Sequence, residues 1–166
     1  LSLGRTKTAL GDKTGDTYPI YWATTDRIVM NGEPSDVVTI NQEDSRRASF
    51  SFKGMIDGER YITFPYTKGS SCTAEQPTVV FPANQSYIKG TFDLNAAPMC
   101  GYSVDGEGTT TLQHLAGVLR FPFVASAPNT TIKQISITAT SADATLAGEF
   151  EVDCKTGDIT AIKGTT

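Results

Sequence analysis

The chain has 166 residues with a formal net charge of -4, and 39% of the residues are hydrophobic while 19% are charged. This length suits one domain with a real core, and its 15 glycines and 8 prolines favour a turn-rich β protein over a helical or disordered chain. The acidic balance argues against a nucleic-acid surface, because no basic cluster beyond Arg46 and Arg47 is present to neutralise phosphates.

The sequence contains neither a transmembrane pattern nor a signal-peptide pattern. No apolar run approaches the length of a membrane-spanning helix, and the first residues, LSLGRTKTAL, lack the basic-then-apolar order of a signal peptide. We therefore expect a soluble chain in a processed or trimmed form.

Ten segments have the length of a strand and are rich in β-branched or aromatic residues. They lie at 17–22, 26–31, 36–41, 48–54, 60–66, 78–82, 118–124, 131–140, 148–153 and 158–163. Glycine, asparagine, aspartate and proline occupy the connections, as tight turns require. The spacing predicts an all-β fold, an antiparallel β-sandwich or a barrel.

Two of the connections have more specific patterns. The sequence EVDCKTGDITAI (151–162) predicts a hairpin with its turn at Lys155 to Asp158. Residues 110–118 place Leu112, Leu115 and Ala116 on one side of a short helix that Gly117 would end. We therefore expect one short helix beside the sheets.

The segment GVLRFPFV (117–124) combines a buried-strand pattern with an arginine. As a regular strand it would turn Leu119, Phe121 and Phe123 toward the core and Arg120 toward the opposite face, where the guanidinium reaches solvent or a carboxylate. Pro122 cannot donate to a ladder, so the strand should be an edge or be interrupted there. An apolar edge is a place where another strand can add.

Residues able to carry catalysis are scarce. His114 is the single histidine, and we interpret it as a polar-face or capping residue because no nucleophile motif or further metal ligand accompanies it. The acid pairs Glu43/Asp44 and Asp57/Glu59 lie in turn-like stretches and read as solvated loop acids, although such pairs could serve a glycosidase. We predict that the protein is not an enzyme and has no cofactor or metal. Activity that depends on those four acids would instead indicate a secreted hydrolase.

The three cysteines, Cys72, Cys100 and Cys154, are widely spaced. Their odd number and spacing define neither a disulfide framework nor a metal pair. We interpret them as small, partly buried thiols, with one disulfide still open.

Aromatic side chains offer a second class of function. Trp22 is expected in the core, because large aromatics dominate sandwich cores, whereas Tyr18 and Tyr87 are the candidates for surface contact. A monomeric surface module that binds glycan or host protein through these tyrosines is therefore an alternative.

Four motifs occur in order along the chain. They are Trp-x-x-x-Asp-x-Ile from Trp22, YITFPY from Tyr61, Pro-x-x-Gln-x-Tyr from Pro82, and Leu-Ala-Gly-x-Leu-Arg-Phe from Leu115. In this order, and with the segments around them, the sequence resembles the N-terminal domain of the fimbrillin family of Bacteroidales over most of its length.

The resemblance implies a transthyretin-like seven-stranded sandwich with added strands. It also implies export as a lipoprotein, anchored to the outer membrane through a lipid on a preceding segment, and a location at the cell surface or in a fimbrium. Residues 1–166 would form a single domain of a longer two-domain protein. Its function would be that of a pilus subunit or related adhesin.

Relatives in that family assemble by strand donation after an arginine-specific protease cuts near the N-terminus. Carried over to this sequence, the resemblance implies a processing site at Arg5, with Leu1 to Leu3 as the tail of the released strand. Arg46-Arg47 is the rival basic site. The expected partners are other pilin subunits, with host protein or glycan as further candidates and no nucleic acid.

Overall fold

The computed structural model describes residues 9–15, 18–36, 38–54, 57–66, 77–89, 91–104, 108–124 and 127–165. Within these ranges the protein is all-β, and its strand pairs are antiparallel. The strands are β1 (Ala9–Leu10), β2 (Ile20–Tyr21), β3 (Val29–Met30), β4 (Glu33–Pro34), β5 (Thr39–Ile40), β6 (Ala48–Ser49), β7 (Arg60–Phe64), β8 (Thr78–Phe81), β9 (Met99–Ser103), β10 (Gln113–His114), β11 (Ala147–Val152) and β12 (Ile159–Thr165).

Two sheets form the body of the protein. A five-stranded sheet has the order β10-β9-β7-β3-β4, and a three-stranded sheet has the order β12-β11-β8. The hairpins β1-β2 and β5-β6 add two small sheets. This arrangement agrees with the predicted antiparallel, sandwich-like fold.

The first core lies between the two main sheets. Phe81 of β8 and Phe150 of β11 meet edge to face at 5.0 Å between ring centroids, and Cys100 of β9 belongs to the same buried cluster. Edge-to-face rings contribute beyond the apolar area that they bury. The three-stranded sheet is thereby fixed against one face of the five-stranded sheet.

The second core covers the opposite face of the five-stranded sheet. Ile62 and Phe64 of β7 point there, because alternate residues of a strand share a face, and they cluster with Ile28. Half-buried Trp22 packs edge to face on Phe64 at 5.2 Å and on Phe50 at 5.0 Å. Trp22 was expected in the core, and it packs against the margin of the second core instead.

The predicted C-terminal hairpin is present. Strands β11 and β12 pair from Val152 opposite Ile159 onwards, and the Asp153 amide donates to the Asp158 carbonyl across the turn at 2.9 Å. Gly157 has φ +83° in this turn, a conformation that a side chain disfavours. The turn residues KTGD are therefore explained by the backbone geometry that they adopt.

The prediction of a helix at residues 110–118 was wrong. Gln113 and His114 instead form β10, opposite Cys100 and Met99 of β9, and Leu112 packs in the second core. A free edge of β9 gives this short stretch a ladder, which overrides its weak helical pattern. The helix of the described residues is a 3₁₀ turn at Leu94–Ala96, capped by Asp93.

The strands predicted at 118–124 and 131–140 are not formed. Neither segment belongs to a sheet, and the side chains of Leu119, Phe121 and Phe123 are exposed rather than in the core. Their alternating pattern is that of a strand, but within the described residues no sheet edge pairs with it. This difference between pattern and placement is the main departure from the expected fold.

Candidate functional site

The four acids considered for hydrolysis lie at the surface, and two of them, Asp44 and Glu59, have cationic hydrogen-bond partners. Glu43 and Asp57 are exposed. Asp44 accepts from the Arg46 guanidinium at 2.8 and 2.9 Å, and this hydrogen bond lowers the pKa of the Asp44 carboxyl. Asp44 is thus part of a loop ion pair with one member of the rival basic site.

Glu59 lies in a polar cluster that sequence reasoning missed. Its carboxylate accepts from Tyr61 Oη at 2.6 Å and from Tyr102 Oη, and Lys155 Nζ lies 3.1 Å from Oε1. The ammonium of Lys155 also lies 4.6 Å from the centre of the Tyr102 ring, a cation-π distance. These four residues, hereafter the Glu59 cluster, join β7, β9 and the β11-β12 turn.

The electrostatics of the Glu59 cluster favour its charged form. Hydrogen bonds from Tyr102, Tyr61 and Lys155 lower the pKa of Glu59 to about 2, and the carboxylate raises the pKa of Lys155. The same carboxylate raises the pKa of both tyrosines. Every donor points at one acceptor, so the arrangement ties surface elements together and offers no general base near neutral pH.

We expect the contribution of Glu59 to stability to depend on pH. The pKa of a glutamate in an unfolded chain is about 4.3, and the pKa of Glu59 in the folded protein is lower. The contribution of Glu59 to stability is therefore full above about pH 4.3 and is lost as the pH falls toward about 2. Urea unfolding of wild type and Glu59→Gln from neutral to acidic pH should show curves that converge in this window. Asp57→Asn, an exposed carboxylate outside the cluster, is the matched control. A stability difference for Glu59→Gln that stays constant down to pH about 2 would contradict this assignment.

The remaining candidate residues fall in three places. Tyr87 is 89% exposed, whereas Tyr18 is 36% exposed. Arg5 and Cys72 lie outside the described residues. Cys100 and Cys154 are buried in the first core, and no disulfide joins them in this structure.

The most extensive unusual surface is formed by residues 117–124 and 127–143, hereafter the exposed segment. Its side chains are exposed except for half-buried Ala139. Its large apolar side chains are Val118, Leu119, Phe121, Phe123, Val124, Ile132, Ile135 and Ile137. So many large exposed apolar side chains in one segment are uncommon, and exposed apolar surface of this kind marks interaction sites.

Two local features of the exposed segment are typical of a β-hairpin. Phe121 and Phe123 stack at 6.2 Å with an interplanar angle of 27°, so their rings lie on the same side. Asn129 has φ +63° and falls in a turn between the two apolar stretches. The segment therefore has the sequence and turn of a hairpin without its ladder.

The exposed segment touches the rest of the protein through Arg120. Its guanidinium donates to Tyr18 Oη at 2.7 Å, and Tyr18 lies two residues before β2, which pairs with β1. Arg120 is exposed to solvent, as expected, and its guanidinium also has a phenol oxygen as hydrogen-bond partner. This contact places the segment beside the N-terminal hairpin.

The described ranges contain neither a metal-ligand cluster nor a membrane-spanning helix. No group of three or more histidine, cysteine, aspartate or glutamate side chains is arranged to hold a metal ion, and no helix there is long and apolar enough to cross a membrane. No protein-family model, curated protein or solved structure matches the chain.

Proposed function

We propose that this chain is a structural or adhesive cell-surface protein, a pilus subunit or related adhesin, that assembles by exchange of strands between subunits. The observation that carries the proposal is the exposed segment, whose apolar side chains alternate as in a strand while its backbone lies outside every sheet of the described residues. The resemblance to the fimbrillin family supplies the assembly scheme.

The exposed segment has much to gain from a partner. Covering a side chain such as Phe121 or Ile137 contributes about 1.5–3 kcal/mol, and pairing the backbone satisfies donors and acceptors that a ladder would use. A strand from another subunit supplies both at once, through main-chain hydrogen bonds and alternate side-chain pockets. The proposed occupant is therefore a strand of a second pilin subunit.

The N-terminal region is the proposed control point. The Arg120 guanidinium joins the exposed segment to Tyr18 through a hydrogen bond. Tyr18 lies between β1 and β2 in the sequence. In the scheme, cleavage at Arg5 releases a first strand that ends there, and the groove exposed in this way accepts a strand from a neighbouring subunit. A lipid anchor on a preceding segment would hold the first subunit at the outer membrane.

The test is an unboiled denaturing gel of the complete lipidated precursor before and after an arginine-specific protease. We expect a detergent-resistant ladder that requires both the protease and Arg5, and that is lost in Arg5→Ala. The double substitution of Arg46 and Arg47 by alanine is the matched control and should still form the ladder. A monomer band in every lane would overturn the proposal, and a ladder that depends on the control residues would overturn the assignment of Arg5.

A second candidate function is recognition of glycan or host protein by a monomeric module. The 89% exposure of Tyr87 favours it, because an exposed aromatic ring is a stacking platform for sugars. Tyr18 supports it less, since its phenol oxygen already accepts from Arg120. The monomer band described above is the result that would favour this second function.

A further inference from the structure

Two cysteines from different sheets lie in the same core. Cys100 is in β9 of the five-stranded sheet, and Cys154 follows β11 of the three-stranded sheet by two residues. Both belong to the first core cluster, at 0% and 3% exposure. Because the sheets face each other there, the two thiols meet across the interface.

The two thiols are neighbours in this core. The Cys154 thiol hydrogen-bonds to the Cys100 sulfur and lowers the pKa of Cys100 to about 7, with a smaller effect from Gln113, whose Nε2 lies 3.7 Å from that sulfur. Cys154 is also held by the Ile62 carbonyl, 3.6 Å from its sulfur. In the closed core, Cys100 is therefore the member of the pair whose thiol ionises more readily.

We propose that Cys100 and Cys154 form a disulfide that covalently joins the two sheets. The oxidant carries a disulfide bond. It is either a small molecule such as oxidised glutathione or an oxidase with a disulfide in its active site. The thiolate of one cysteine attacks one sulfur of the oxidant and releases the other as a thiol. The thiolate of the second cysteine then displaces the remaining oxidant thiol from the mixed disulfide, so that two electrons and two protons leave the protein and two oxidant thiols form.

Burial decides when this exchange occurs. An oxidant cannot reach a thiol that is fully buried, so oxidation takes place while the β11-β12 hairpin is undocked or transiently open. Once the sheets close, the same burial shields the bond from reductants. The disulfide therefore belongs to the folding of the protein and persists afterwards.

The position of the bond bears on the exposed segment. Residues 117–124 and 127–143 lie between Cys100 and Cys154 in the sequence, so the bond closes a loop that contains them. A segment that pairs with a second subunit would then stay fixed to both sheets at its base. This consequence rests on the proposed function, whereas the disulfide itself does not.

The test maps the thiols of the full chain after refolding with oxidised glutathione. The protein is denatured, alkylated and digested with trypsin, which separates the cysteines into the peptides 69–89, 90–120 and 134–155. We expect peptides 90–120 and 134–155 joined by a disulfide, and alkylation only at Cys72. Alkylated Cys100 and Cys154, or a bond from Cys72 to either, would overturn the proposal.

Thermal unfolding gives a second readout. We expect oxidation to raise the Tm on the order of 10 °C above that of the reduced protein, because the bond constrains a long loop of the unfolded chain. Cys72→Ser should keep this shift, and Cys154→Ser should lose it. An equal shift in both variants would contradict the pairing.

Discussion

Replacing Phe64 with alanine should lower the free energy of unfolding by about 3–5 kcal/mol, as expected for truncation of a buried aromatic residue. Phe64 is 1% exposed and lies between Trp22 on one side and the sheet residues of the second core on the other. The cavity has few ways to collapse, because β7 is held between β3 and β9. Urea unfolding followed by tryptophan fluorescence would measure the loss.

Phe123→Ala is the matched control for this prediction. The side chain is 57% exposed and lies in the exposed segment, so we expect a loss below about 1 kcal/mol. If Phe123→Ala cost as much as Phe64→Ala in the monomer, the exposed segment would be packed in solution. That result would remove the observation on which the proposed function depends.

Strands with β-branched and aromatic alternation could be predicted from the sequence. The patterns of RYITF and TVVF identified β7 and β8, and the KTGD turn identified the β11-β12 hairpin. In each case the local preference and the final environment agree, because the side chains that favour a strand are also those buried between the sheets. Local agreement of this kind is visible without tertiary contacts.

Strand β9 could not be predicted in the same way. Its sequence MCGYS contains glycine and lacks β-branched residues, yet it lies between β7 and β10 in the five-stranded sheet. Burial between neighbours makes it a strand, and Gly101 allows Leu112 and Thr111 to approach its backbone closely. Tertiary context thus overrides a weak local pattern.

The missed strand explains the missed polar cluster. Tyr102 lies opposite Tyr61 in the β7-β9 register, so the cluster on Glu59 depends on a pairing that the sequence did not predict. The alternation of Glu59 and Tyr61 before and within β7 was the available signal, since it places both on one face. Because β9 was not predicted, Glu59 was interpreted as a solvated loop acid.

The exposed segment shows the opposite relation. Leu119, Phe121 and Phe123 have the pattern of a buried strand, and they are exposed. A pattern specifies which side chains require cover, and it does not specify whether the cover comes from the same chain. If the proposed function holds, the side chains of this segment are exposed in the monomer because a second subunit buries them in the polymer.

Replacing Ile137 with glutamate should prevent assembly while leaving the monomer folded. Ile137 is 56% exposed in the described fold, so a charge there costs the monomer little. In a subunit junction the same change removes the apolar burial, worth about 1.5–3 kcal/mol, and adds an unpaired buried charge. We expect assembly of the protease-treated protein to weaken by at least about 100-fold, measured as the concentration at which the detergent-resistant ladder appears.

Thr138→Glu carries the same charge at the next residue and is the matched control. When the segment pairs as a strand, residues 137 and 138 point to opposite faces, so Thr138→Glu should assemble at close to the wild-type concentration. Equal loss in both variants would indicate that added charge, rather than the covered face, disrupts the polymer. Normal assembly of Ile137→Glu, with an unchanged monomer Tm, would place the junction elsewhere and contradict the role of the exposed segment. The two variants together therefore separate a donated or accepted strand from a surface that is merely apolar.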